Sequence, residues 1–269
     1  MPKFLFWSDL HMEFGPFIPP APETLDGPID GLLIAGDTNS GLSMQHLAFA
    51  EEMADLYKVP VVLITGNHEY YGTEMRDFET RQAAALANIH ARGGEVHLLQ
   101  GESITIKGAR IIGATLWTDF ELDPALTIIA RRHASVQMKD YRHILIEDAD
   151  GMRRLTVADT IALHQKQLTQ VTALLCQAHD GPTLVMTHHM PISQTISPAY
   201  GHDPVNAAFA SDLMAKIRDL DFDVWIYGHS HAGSDWRIGT NTRPKRFLTN
   251  PRGYPHEATR FDPKRIITL

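Results

Sequence analysis

Cysteine is almost absent from this 269-residue chain. Cys176 stands alone, so an intramolecular disulfide is excluded and a reducing compartment fits. It falls within an apolar helical pattern beside Val171, Leu174 and Leu175, which predicts a buried core thiol. Runs of Lys and Arg are missing too, and the formal net charge is −8. Both facts argue against phosphate-backbone binding, which calls for a basic stripe, and so against a dedicated nucleic-acid surface. No apolar stretch approaches the length that spans a bilayer. The N-terminal run Phe4-Leu5-Phe6-Trp7 is too short for a signal peptide and has no cleavage-site pattern. The expectation is a cytoplasmic protein with no membrane partner. No internal repeat or low-complexity segment interrupts the chain, and a 43% hydrophobic content can bury one large core.

Histidine, by contrast, is abundant, with 15 in the chain. His46, His90, His97, His143, His179 and His256 read as surface enrichment. His11, His68, His188, His189, His229 and His231 do not, because they follow apolar runs. The clearest case is Val61-Val62-Leu63-Ile64, a buried-strand pattern that closes into Thr65-Gly66-Asn67-His68-Glu69. An Asn amide oxygen can ligate a cation, and an adjacent His can transfer a proton.

Four more runs end the same way. Phe4–Trp7 empties into Asp9-x-His11, expected in extended chain with both side chains on one face. Strand 31–35 ends at Gly36-Asp37, strand 182–186 at His188-His189, and strand 223–227 at Gly228-His229-x-His231. Helical patterns at 42–58, 73–92 (capped by Thr73), 157–179 (capped near Thr156) and 207–220 lie between them. Strands 96–99, 103–107 and 110–116 start a second sheet, and 236–238, 246–249 and 266–268 complete it. Crossover helices between such strands imply an α/β fold in which the strand ends share one edge. So many carboxylate and imidazole ligands exceed the needs of one tetrahedral ion. Two ions about 3.5–4 Å apart, bridged by Asp37, account for them, and this donor set suits Mn, Fe, Zn or Ni.

The blocks Asp9-x-His11, Gly36-Asp37, Gly66-Asn67-His68-Glu69, His188 and Gly228-His229-x-His231 resemble the calcineurin-like metallophosphoesterase superfamily, in order, over residues 9–231. The resemblance implies a four-layer α/β/β/α sandwich of two mixed β-sheets flanked by helices. It implies one ion on Asp9, His11, Asp37 and His231, and a second on Asp37, Asn67, His188 and His229, with manganese favoured. His68 is then the catalytic non-ligand histidine, and His189 lies behind the ligands or in the pocket wall. The implied reaction is hydrolysis of a small phosphoester by in-line attack of a metal-activated hydroxide, with His68 protonating the leaving oxygen.

Departures from subfamilies narrow this reading. Thr38-Asn39-Ser40 replaces the Asp-Arg-Gly block of phosphoprotein phosphatases, and Ser40 stands where purple acid phosphatases carry a Tyr ligand. A phosphodiester substrate is therefore favoured over a phosphomonoester. The alternatives are a phosphomonoesterase or protein phosphatase, a nuclease, and a non-catalytic metal-binding interaction scaffold. Residues 119–156 are polar and irregular, with a helix near 124–137. They read either as a solvated excursion or as a cap inserted in the single domain 1–269, its arginines meeting an anionic substrate. In Asn250-Pro251-Arg252-Gly253-Tyr254, Arg252 is either part of a structural turn or a clamp on a phosphate oxygen.

Overall fold

The computed structural model describes residues 1–239 and 244–269. Its first sheet contains β1 (Lys3–Trp7), β2 (Gly31–Ala35), β3 (Val61–Ile64) and β4 (Val96–Leu98), parallel to one another, and one antiparallel edge strand. The second contains β5 (Glu102–Ile106), β6 (Ala109–Ala114), β9 (Thr183–Thr187), β10 (Val224–Tyr227), β11 (Ser234–Ile238) and β12 (Lys245–Thr249). Within it, β12, β10, β9 and β6 are parallel, and β11 and β5 close the edges antiparallel.

Alternation along β1 shows why two sheets stack. Phe4 and Phe6 face the second sheet and meet Leu184, Met186 and Ile226, whereas Leu5 and Trp7 face Leu47, Ala50 and Met53 of α1 (Gln45–Tyr57). Strands buried on both faces need continuous apolar runs, which is what the sequence supplies. Helix α2 (Met75–Ala91) joins α1 over the first sheet. The far face of the second sheet is covered by α5 (Val157–Leu175), whose N-terminus is fastened by a Thr156/Asp159 capping box. The layers are α/β/β/α.

Five expectations need correction. The last strand, β13 (Ile266–Thr268), pairs antiparallel with β1 and so belongs to the first sheet, as does β4. The helix expected at 207–220 is reduced to the single turn α6 (Met214–Ile217). Before it, Phe209 and Ser211 pair through their backbones with Met190, which holds that stretch extended. Glu74, not Thr73, caps α2, its carboxylate accepting from the amides of Arg76 and Asp77. Cys176 is exposed, because it follows the last turn of α5 and points away from the sheet. His46 is buried on α1 and bonded to Gln82 at 2.8 Å, not on the surface.

Residues 119–156 are ordered. They form α3 (Thr127–Gln137), α4 (Asp140–His143) and a hairpin of β7 (Leu145–Asp148) and β8 (Gly151–Arg154). A separate small core, with Ala130, Ala134, Tyr141 and Ile144 against Tyr70, Met75 and Phe78, fixes this insertion to the start of α2. Its arginines do not face a substrate site: Arg153 pairs with Asp148 and Asp159, and Arg142 donates to the Gln137 carbonyl. Among the described residues, no helix is long and apolar enough to cross a membrane.

Candidate metal centre

The parallel strands β1, β2, β3, β9 and β10 end at one edge, and their loops converge there. The convergence is not achieved by strand period. Asp9, His11, Asp37, His229 and His231 all adopt left-handed backbone, with φ of 50°, 44°, 53°, 66° and 47°. Asp and His tolerate this region better than most residues, but each such position is held by its surroundings at a cost. Here the backbone is held by cross-loop hydrogen bonds: Asp9 N–H donates to Gly36 O, His11 N–H to Asp37 O, and Gly253 N–H to Asp9 O. Side chains assist. Asp9 Oδ1 accepts from His229 N–H at 2.8 Å, and Asp37 Oδ1 from His68 N–H at 2.9 Å. Gly66 is required by close approach, since a Cβ there would overlap the Asp37 carboxylate.

Three sets of ligand atoms lie within 4.8 Å of one another: Asp9/His11/His231, His11/Asp37/His68 and Asp37/His188/His229. Asp37 belongs to two of them; its Oδ2 is 3.4 Å from His188 Nε2 and 3.7 Å from His11 Nε2. The Nε2 atoms of His11 and His231 are 2.9 Å apart, and Asn67 Oδ1 is 3.0 Å from His188 Nε2. The imidazoles are aimed from behind. Nδ1 of His188 bonds to Ala35 O at 2.9 Å, that of His231 to Glu257 at 2.6 Å, and those of His11 and His68 share Glu13 Oε1 at 3.0 and 2.8 Å. Such outer partners turn Nε2 toward the centre, as ligating histidines require. His229 is positioned by rings instead, stacked on Phe209 at 4.6 Å and close to His189 at 4.4 Å.

The donor set fits divalent cations. Two buried atoms aimed at the centre, Asp9 Oδ2 and His229 Nε2, have no hydrogen-bond partner, the expected condition of atoms meant for an ion. Charge follows the same pattern. Burial raises the Asp37 carboxyl, yet His188 and His68 outweigh it and hold the group well below the usual range. Burial lowers His188, but Asp37 and Asp9 with the Ala35 carbonyl together outweigh it and push it up to about 10. His229, buried beside His189 and His188, is pushed well below its ordinary value and offers a free lone pair.

His68 is beside the centre, its Nε2 4.0 Å from Asp37 Oδ2 and 3.3 Å from the Tyr254 hydroxyl. Burial lowers its pKa, and Asp37 and Glu13 more than reverse this, so the imidazole is held above its ordinary value. His189 is buried behind His229, with Nδ1 3.3 Å from Thr115 O and its ring 5.2 Å from Trp117. Arg252 is not brought to the centre: its guanidinium donates to the carbonyls of Leu10, Gly15 and Pro16 and pins the Pro-rich loop. A cavity of about 370 Å³ opens over Asp37, Asn67, His68, His229 and His231, with Met190, Ile196, Val205 and Phe209 on its apolar wall.

Several residues of the site had no assigned role from sequence. Glu69 accepts four backbone N–H bonds, from Asp37, Thr38, Asn39 and Gly66, and so locks two loops together. Its burial, reinforced by Asp37, pushes it up to about 7. Glu13 could have been found from the continued alternation Asp9-x-His11-x-Glu13; Asp140, Phe209 and Glu257 carry no comparable signal.

The chain matches the family described as calcineurin-like phosphoesterase over residues 2–233. No curated protein sequence matches it. Among solved structures it is similar to the phosphopantetheinyl hydrolase of Mycobacterium tuberculosis, with 19% identity, a TM-score of 0.65 and coverage of 96% of this chain and 94% of that one. It is also similar to a Thermus thermophilus protein, with 12% identity, a TM-score of 0.49 and coverage of 94% and 89%. With the family matched across most of its length and the family's ligand types gathered at one sheet edge, the chain belongs to the calcineurin-like phosphoesterases and is a metal-dependent phosphoric ester hydrolase.

Proposed function

We propose that the chain hydrolyses a small phosphodiester at two ions, one held by Asp9, His11, Asp37 and His231 and the other by Asp37, Asn67, His188 and His229. The observation that carries this reading is that Asp37 stands between the groups Asp9/His11/His231 and Asp37/His188/His229 beneath one cavity, its Oδ2 3.7 Å from His11 Nε2 and 3.4 Å from His188 Nε2. The donor set suits Mn, Fe, Zn or Ni, with manganese the favoured ion for reconstitution. Bound there, the ions supply charge neutralisation and lower the pKa of water.

His68 supplies the proton. Glu13 fixes its Nδ1, so Nε2 faces the cavity. Protonation of the leaving oxygen from Nε2 is the general-acid step. Ring contact with Tyr71 at 4.3 Å keeps the imidazole in that orientation. His189, behind His229, supports a ligand and does not contact substrate.

Charge favours a diester. Apart from histidine, the acidic and basic residues around the cavity are Asp37 in its floor and Lys139, Asp203 and Glu257 in its walls. A monoester dianion would meet two wall carboxylates and one exposed lysine, whereas a diester carries a single charge and has apolar wall for its second substituent. The phosphopantetheinyl hydrolase with the same fold makes a phosphopantetheinyl compound a sensible member of a substrate panel.

The test is hydrolysis by metal-stripped protein reloaded with Mn. The panel is bis-(p-nitrophenyl) phosphate, p-nitrophenyl phosphate, a cyclic nucleotide and a phosphopantetheinyl ester, with Asp37→Ala as control. Diester turnover that the control lacks is the expected result. Preference for the monoester would replace the diester reading with a phosphatase. Two bound ions without any turnover would favour a scaffold.

A further inference from the structure

The insertion at 119–156 lines the cavity with Gln137, Met138 and Lys139 and touches a proposed metal ligand through Asp140. Asp140, the first residue of α4, is 3% exposed, and its Oδ1 accepts from Asn67 Nδ2 at 2.7 Å and from the Tyr71 hydroxyl at 2.9 Å. Asn67 Nδ2 also donates to the Tyr71 oxygen at 3.0 Å, which closes a triangle of two buried groups and one half-buried one. An Asn amide has an oxygen end and a nitrogen end of nearly equal shape, and only the oxygen can ligate a cation. With both acceptors on one side, Nδ2 is held there and Oδ1 is left beside His188 Nε2 at 3.0 Å. Nothing else in the loop imposes that choice, since the neighbours of Asn67 in sequence are committed elsewhere: Gly66 N–H to Glu69 and His68 N–H to Asp37.

The insertion is itself fixed where it meets this loop. Gly72 N–H donates to His143 O at 2.8 Å, and Leu145 N–H to Thr73 O at 2.9 Å. Tyr71, the third corner of the triangle, lays its ring against His68. We infer that Asp140 is a positioning residue that sets the amide of Asn67 for the second ion and, through Tyr71, the plane of His68. The inference rests on the two-ion reading above. The insertion then acts as a brace for the centre, and its removal or displacement weakens one half of it selectively.

Metal binding tests this without turnover. Full-length protein is stripped, then titrated with Mn(II) by calorimetry, and ions retained after desalting are counted. Asp140→Leu, isosteric but unable to accept, should weaken the second ion about 10- to 100-fold, the usual effect of losing an outer partner, with the first ion within about three-fold of wild type. Asp140→Asn keeps an acceptor oxygen and should hold both ions within about three-fold. Wild-type affinity for both ions in Asp140→Leu, or equal loss of both, overturns the role. If Asp140→Leu does not fold, Asp140→Asn decides: a loss of ten-fold or more in the second ion contradicts acceptance by hydrogen bonding. A wild-type chain that holds one ion overturns the two-ion reading and this role with it, a result distinct from any mutant effect.

Discussion

The two halves of the centre hold their histidines by different means. Around Asp9, His11 and His231, the imidazoles lean on the carboxylates of Glu13 and Glu257. Around Asn67, His188 and His229, they lean on a backbone carbonyl and on rings. Their charges differ accordingly. Burial lowers His231, but the hydrogen bond to Asp9 and the Glu257 charge push it up to about 9, whereas His229 is driven well below its ordinary value. One half is set by side-chain charge that a substitution can delete. The other is set by a backbone carbonyl at His188, by ring packing at His229 and by the Asp140 hydrogen bond at Asn67.

Substitutions can test that contrast. The largest effect is expected where the halves join. Asp37→Ala should remove the shared carboxylate, release at least one ion and cut turnover by about 10³-fold, the scale of losing one preorganised electrostatic group. Metal content and Mn-loaded kinetics read both consequences. Next, Glu257→Ala should weaken the ion at His231 about 10- to 100-fold and leave the ion at His188 within about three-fold. Equal weakening of both ions would erase the distinction between the halves. Phe209→Ala, on the ring-supported side, should cost the second ion only about five-fold, the worth of one aromatic pair near 1 kcal/mol. Its larger effect falls on KM for diesters with apolar substituents, measured across a homologous alcohol series.

The smallest effect on the centre comes from a buried histidine outside it. Burial pushes His46 down to about 4 from 6.5. The unfolded chain therefore takes up a proton first as pH falls, so stability is full above pH 6.5 and declines toward pH 4, by up to about 3 kcal/mol. His46→Gln should flatten that decline in denaturant melts without changing Mn affinity at neutral pH. A decline of the same slope in the variant would remove His46 as the source of the acid sensitivity.

How much of this was legible beforehand follows from what each segment must satisfy. Strands buried on both faces have to be apolar throughout, so β1, β2, β3, β9 and β10 and their polar ends could be read directly. The route by which Asp9 and His11 converge could not, because left-handed turns leave no apolar period. Residues 207–220 have a helical pattern that local propensity supports, yet backbone pairing of 209–211 with Met190 overrides it and carries Phe209 onto His229. The hairpin β7–β8 and the role of Asp140 depend on docking against α2, a contact between segments some 70 residues apart. Arg252 shows the opposite case: a cation adjacent in sequence to a turn is spent on carbonyls of the Pro-rich loop.

The most direct test of the two-ion account is anomalous diffraction at the manganese edge from Mn-soaked crystals. The account predicts two peaks about 3.5–4 Å apart on either side of the Asp37 carboxylate, one near Asp9, His11 and His231 and the other near Asn67, His188 and His229. A single peak, or two peaks that do not share Asp37, would contradict it.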